Sequence, residues 1–224
     1  MIHNIFLDAG GVILDESEFE KNSAEIITKL IKNYKNYSIE NYWDDVNEAI
    51  YRFVPKVYDY ILFKHINNIE NCKIAISDYK ESIKLKIKYK LFPGVEQFLT
   101  EFSKRYRIGI LGQYGIEFKN FLEKQELLQY FTYTEIQDYY KMTKPDTRYF
   151  EAILKNCGCN AENSIMIGDR IDKDIIPAKI IGMKTIRIKT GIHKNQEPRI
   201  PEEIPDITVN SIEEIKIDII NILV

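Results

Sequence analysis

Two aspartates of this chain stand directly after short apolar segments. Asp8 follows residues 2–7 and precedes two glycines, and Asp169 follows the apolar residues 165–167 and Gly168. Apolar runs of this length that end at glycine and an acid are typical of buried strands in a parallel sheet. If both strands are central, the two carboxylates meet at the carboxyl edge of the sheet, where open α/β folds bind ligands.

Crowded carboxylates repel each other, and a hard divalent cation with oxygen ligands relieves the repulsion, so the pair predicts a Mg²⁺ site. Asp174 lies about one turn beyond Asp169 and could add charge or orient a neighbour, and Asp172 is a further candidate. Lys144 precedes a proline and a helical segment, so its ammonium could point into the same pocket and hold an anionic nucleophile and substrate. A lone strand-end aspartate more often caps a helix; the combination with Lys144 favours a site.

A long helical segment interrupts the pattern of strands. Residues 17–90 show three stripes of apolar side chains at helical spacing, with Pro55 expected to break or kink the second helix. The block contains no convincing strand and is too long for a simple connection, which predicts an inserted helical bundle at residues 16–90.

Strands and helices alternate after this block. Apolar strand candidates at 106–111, 164–167, 184–188 and 207–209 are separated by amphipathic helical segments, and residues 133–136 could form a further short strand. Repeated βα units predict an α/β fold with a three-layer, Rossmann-like parallel sheet. The expected core comprises residues 1–15 and 91–224.

Composition narrows the functional class. The 224 residues carry a net charge of −3 and include 45% hydrophobic residues, so we expect a folded, cytoplasmic protein without nucleic-acid or membrane partners. Monomer and homodimer are both compatible with the sequence. The three cysteines, Cys72, Cys157 and Cys159, suit neither a disulfide scaffold nor a zinc site. The amino terminus lacks the pattern of an ordinary signal peptide.

The order of these motifs resembles that of the haloacid dehalogenase superfamily, in its branch with a helical cap inserted after the first strand. The resemblance covers the whole chain. It rests on these motifs: Ile5 to Ile13 around Asp8, Phe92-Pro93-Gly94-Val95, Lys144 to Phe150, Ile167 to Asp174, and the later Ala178 and Gly182-Met183-Lys184-Thr185.

The resemblance implies a phosphatase that acts on a small phosphorylated metabolite in two steps. The family aspartate that matches Asp8 attacks phosphorus, and water hydrolyses the resulting aspartyl-phosphate. By the same resemblance, Mg²⁺ is held by Asp8, by the backbone carbonyl of Gly10 and by Asp169, with Lys144 as the catalytic lysine and Asp174 in support.

The sequence departs from the family pattern at two positions. Family phosphatases carry a second aspartate, the general acid and base, where this chain has Gly10. Such catalysis is worth about 10²–10⁴ in rate. The family's phosphate-binding Ser or Thr is replaced by Gly112, followed by Gln113, whose backbone amides could still bind an anion.

Three hypotheses follow from these departures. The chain could be a Mg²⁺-dependent phosphatase whose leaving group needs little acid help, or whose acid comes from Asp15, Glu16 or the helical cap. It could be a dehalogenase-like or phosphonate-cleaving hydrolase, since such relatives lack the second aspartate. It could also be a binding or regulatory protein that has kept the fold and lost turnover. The sequence does not identify the substrate.

Overall fold

The computed structural model describes residues 1–112, 114–134 and 142–223, in which parallel strands form a five-stranded sheet. The strand order is β2-β1-β3-β4-β5, so β1 is paired on both sides and the next two strands of the chain flank it. The strands are β1 (Asn4–Leu7), β2 (Arg107–Ile110), β3 (Ser164–Gly168), β4 (Lys184–Ile188) and β5 (Ile207–Val209).

Successive side chains of β1 enter two different cores, because neighbouring strand residues point to opposite faces. Ile5 and Leu7 pack in one core and Phe6 in the other, and all three are fully buried. The first core is covered by α5 (Val95–Phe102), α6 (Ile116–Lys124) and α9 (Ile217–Ile222), and the second by α7 (Thr147–Asn156) and α8 (Ile176–Ile180). The predicted three-layer α/β class is therefore confirmed.

The region between β1 and α5 is helical. Its helices are α1 (Ser17–Lys32), α2 (Ile39–Tyr51), α3 (Val57–His65) and α4 (Ile69–Lys84). They pack against one another as a bundle. Pro55 lies between α2 and α3, so of the predicted break or kink the structure has the break, with two separate helices.

The described chain divides into two compact units. The α/β unit contains residues 1–15, 89–194 and those from 198 onward, and the helical unit contains residues 16–88 and 195–197. No helix among the described residues is long and apolar enough to cross a bilayer.

A π-helical turn, Ile171–Ile175, follows β3 and leads into α8. The possible strand at 133–136 is described only for its first two residues, of which Tyr133 forms an isolated bridge with Gly109; residues 135–136 lie outside the described part.

Candidate active site

Strand β1 delivers Asp8 to the carboxyl edge of the sheet. The Asp8 backbone N–H donates to the carbonyl of Ile167 on β3 at 2.9 Å, so the pairing of the strands continues into this residue. Its carboxylate Oδ1 accepts a hydrogen bond of 2.8 Å from the backbone N–H of Ala9. Asp8 is 8% exposed. The carboxylate is thus held in a fixed orientation while remaining reachable.

Lys144 lies between two carboxylates. Its Nζ is 2.9 Å from Asp8 Oδ1 and 2.5 Å from Asp174 Oδ1. Burial by itself would lower the pKa of Lys144, but the neighbouring charges of Asp174 and Asp8 raise it above its usual value. Asp146 caps helix α7 by accepting from the N–H of Arg148, which fixes the turn that carries Lys144. The lysine therefore stays charged at the edge of the sheet.

Asp174 projects from the π-helical turn and is fully buried. Its Oδ2 accepts from the backbone N–H of Arg170 at 3.0 Å, and its Oδ1 receives Lys144. Burial raises the pKa of Asp174 to about 6 against the opposing effect of Lys144. A side chain at Gly168 would place its Cβ 2.3 Å from the Asp174 Cβ, so the missing side chain makes this close approach possible.

Asp169 reaches the same cluster because Gly11 leaves it room. Gly11 has a φ of +70°, and a Cβ there would stand 2.6 Å from Asp169 Cγ. One carboxylate oxygen from each of Asp8, Asp169 and Asp174 lies within 4.8 Å of the others. Three buried acids at this spacing, with one lysine between two of them, keep excess negative charge. Oxygen ligands in this arrangement suit a hard divalent cation.

The other predicted residues fall into three groups. Gly10 and Gly112 lie beside Asp8 and at the end of β2, respectively. Gln113 lies outside the described residues. Asp172 does not belong to the carboxylate cluster: its Oδ2 pairs with the Arg170 guanidinium at 2.7 Å, in a contact that is largely buried.

Sequence reasoning missed three side chains that support this edge. The Tyr114 hydroxyl oxygen accepts a hydrogen bond of 2.6 Å from the N–H of Gly10. Arg187 on β4 is 1% exposed and donates from Nε to the Asp169 carbonyl at 3.2 Å. Thr190 donates through its hydroxyl to the Gly11 carbonyl. An arginine inside an apolar strand was a signal for the second; the others depend on tertiary contacts that the sequence does not display.

Comparison with known proteins shows the family of the chain. Residues 5–188 match the family model described as haloacid dehalogenase-like hydrolase. The chain is 29% identical over 207 residues to the glyceraldehyde 3-phosphate phosphatase of Methanocaldococcus jannaschii. The aligned residues cover 91% of this chain and 81% of that protein. It is 28% identical over 133 residues to the phosphoserine phosphatase of Thermus thermophilus, which covers 57% and 51% of the two chains.

A solved structure shares the fold across the whole chain. It is described as a haloacid dehalogenase (HAD) hydrolase of Bacillus subtilis bound to magnesium. The two structures superpose with a TM-score of 0.69 at 16% sequence identity, over 99% of this chain and 98% of that one.

Proposed function

Because the chain belongs to the haloacid dehalogenase-like hydrolase family, we propose that it is a Mg²⁺-dependent phosphatase of small phosphorylated metabolites, acting through an aspartyl-phosphate at Asp8. The observation that carries the proposal is the cluster of Asp8, Lys144, Asp174 and Asp169 at the carboxyl edge of the sheet. The names of the relatives make glyceraldehyde 3-phosphate the first substrate to test. The helical unit would serve as the cap, in the predicted division into residues 16–90 and a core of 1–15 and 91–224.

The donor set fits Mg²⁺. Asp8 and Asp169 would hold it together with the Gly10 carbonyl, and the supporting Asp174 adds negative charge beside them. When bound, the ion offsets the repulsion between an anionic nucleophile and an anionic phosphate, and it polarises the phosphoryl oxygens.

The side chains of the protein have distinct tasks in this mechanism. Asp8, oriented by the Ala9 amide and by Lys144, attacks phosphorus and displaces the alcohol. Lys144 remains cationic between its two acids and draws the phosphate group toward Asp8. The backbone amides of Gly112 and Gln113 are proposed as additional hydrogen-bond donors to the phosphate group. Water then hydrolyses the aspartyl-phosphate, which restores the Asp8 carboxylate and releases inorganic phosphate.

The first experiment measures phosphate release with Mg²⁺ from 4-nitrophenyl phosphate, glycerol 3-phosphate and glyceraldehyde 3-phosphate. Asp8→Asn keeps the shape of the side chain but removes the nucleophile, so turnover should fall to background. EDTA should have the same effect, and added Mg²⁺ should reverse it. Asp218→Asn, an equal change on an exposed residue of α9, is the matched control and should keep wild-type activity.

The result separates the enzyme from the alternatives. Equal background turnover in the wild type and Asp8→Asn would overturn the phosphatase proposal and favour a binding or regulatory protein. Phosphate release that needs Asp8 but persists in EDTA would overturn the proposed Mg²⁺ dependence and leave the role of Asp8 standing.

A further inference from the structure

The proposed phosphatase lacks a general acid at position 10, where Gly10 has no side chain to carry a proton. Within the α/β unit, the acid predicted as a substitute, Asp15, is engaged elsewhere, since it pairs with the Lys90 ammonium at 2.7 Å. When the phosphate ester of an ordinary alcohol is cleaved, the alcohol group leaves as an alkoxide, and it leaves slowly unless its oxygen is protonated. The structure therefore has to supply the proton from another group near Gly10.

The Tyr114 hydroxyl is next to this position. Its oxygen accepts the Gly10 N–H at 2.6 Å, and a phenol that accepts a hydrogen bond retains its own proton for donation. The ring is half-buried and packs on Phe118 with 4.8 Å between the ring centroids. Phe118 is fully buried at the start of α6, so it holds the tyrosine ring against a rigid core.

Gly112 brings the phenol ring and the nucleophile close together. A Cβ built on Gly112 would stand 3.0 Å from Asp8 Oδ1 and 3.1 Å from Tyr114 Cε2. The nucleophilic oxygen and the ring edge thus border the same small space. A serine or threonine at 112 would crowd both groups. Tyr114 therefore lies beside both of the glycines that replace family side chains, at positions 10 and 112.

We propose that Tyr114 is the general acid and base of this enzyme, in place of the aspartate that is absent at position 10. This inference rests on the proposed phosphatase function. In the first step Asp8 forms its bond to phosphorus, the bond from phosphorus to the alcohol oxygen breaks, and the Tyr114 proton passes to that oxygen. In the second step the oxygen of a water molecule forms a bond to phosphorus while the phenolate takes a proton from that water. The bond from phosphorus to Asp8 breaks, and inorganic phosphate leaves.

The test uses the dependence of rate on the leaving group. Tyr114→Phe keeps the ring on Phe118 and removes only the hydroxyl. With glycerol 3-phosphate, whose alkoxide needs a proton, kcat should fall by about 100-fold or more. With 4-nitrophenyl phosphate, whose nitrophenolate leaves unprotonated, we expect a fall of less than about fivefold. A merely structural role would lower both rates alike.

Tyr89→Phe is the matched control. Tyr89 packs on the same Phe118, at 5.8 Å between ring centroids, so its loss of a hydroxyl tests the aromatic cluster without touching Gly10. It should leave both rates unchanged. A second variant, Gly10→Asp in the Tyr114→Phe background, restores the family acid. Its kcat with glycerol 3-phosphate should be at least tenfold higher than that of Tyr114→Phe alone.

The failure of this inference differs from failure of the proposed function. Tyr114→Phe with an unchanged ratio of the two rates, whether both stay high or both fall, would overturn the role of Tyr114 and leave the phosphatase standing. Absence of Asp8-dependent turnover of both esters by the wild type would overturn the phosphatase, and the inference with it.

Discussion

Two buried acids of this protein, one in each unit, have opposite surroundings. In the α/β unit, the carboxylate of Asp174 meets the Lys144 ammonium and a backbone N–H. In the helical unit, Glu20 is 8% exposed and accepts a hydrogen bond from the Tyr58 hydroxyl at Oε1, while its Oε2 is buried and has no hydrogen-bond partner among the described residues. Burial raises the pKa of both acids, but the Lys144 ammonium opposes the rise at Asp174, whereas at Glu20 the opposing contact is the neutral hydroxyl of Tyr58.

A third acid sharpens the contrast. Asp45 in the helical unit is also buried, but it accepts from the Tyr37 hydroxyl and contacts the Lys64 ammonium and the His65 ring, all within 2.6 Å. Asp45 and Glu20 therefore differ in their partners: Asp45 contacts a lysine, a histidine and a tyrosine, whereas Glu20 accepts from the Tyr58 hydroxyl. Burial of an acid is therefore a poor guide to a catalytic site unless its partners are also known.

The largest expected effect comes from removing the cation between the two acids of the α/β unit. Lys144→Met leaves Asp8 and Asp174 without their shared counter-charge, so kcat/KM should fall by about 10²–10³. Breaking a buried ion pair also lowers the free energy of unfolding, by about 3–5 kcal/mol. Phosphatase kinetics and urea unfolding measure the two effects. Lys155→Met, an exposed change on α7, is the control; a Lys144 variant that behaves like it would show that the lysine is not needed.

An intermediate effect is expected at the acid that lacks a cation. Burial raises the pKa of Glu20 to about 7 from its ordinary 4.5. Between these values the folded state binds more protons than the unfolded state, so the free energy of unfolding falls as pH rises from about 4.5 through 7. Above pH 7 the penalty reaches about 3 kcal/mol.

Glu20→Gln removes this charge while keeping an oxygen for Tyr58. The variant should match the wild type near pH 5 and exceed its stability near pH 8.5, as measured by urea unfolding at both pH values. Glu25→Gln, on the exposed face of α1, should change neither value. A Glu20 variant with the same pH dependence as the wild type would refute the account of Glu20 as an uncompensated buried acid.

The smallest effect is expected at the acid with several partners. Tyr37→Phe removes one hydrogen bond of 2.5 Å from Asp45, which keeps Lys64 and His65. Because the acceptor is a charged carboxylate, the free energy of unfolding should fall by about 2 kcal/mol. Thermal or urea unfolding of this variant beside the half-exposed Tyr34→Phe gives the comparison. A loss of 3 kcal/mol or more would mean that Asp45 depends on the phenol and that its partners do not act independently.

The sequence predicts the sheet well because its strands are short apolar runs with clear ends. The predicted strand at 184–188 coincides with β4, and that at 164–167 is one residue shorter than β3. Since parallel strands end at a common edge, the same reasoning groups Asp8, Asp169, Asp174 and Lys144. The resemblance drawn from the order of these motifs is confirmed by the match over residues 5–188.

Other features could not be predicted because they depend on contacts between distant segments. Tyr114 is far from Gly10 in the chain, and neither sequence segment contains a pattern that predicts the hydrogen bond between them. The different surroundings of Glu20 and Asp45 likewise depend on which helices bring tyrosine, lysine or histidine to each carboxylate. Periodicity identifies the buried face of a helix but not the partners that it meets there.

The conformation of Gly11 affects how mutational data on this protein should be interpreted. With a φ of +70° and Asp169 occupying the space of its missing side chain, even alanine there must displace the carboxylate. A saturation screen scored by activity would therefore rank Gly11 with the reactive residues, although it contributes no functional group. Loss of activity in such a screen identifies positions with no room for a side chain as well as positions whose side chains take part in the reaction. The distances from a Cβ built at the glycine distinguish the first kind of position from the second.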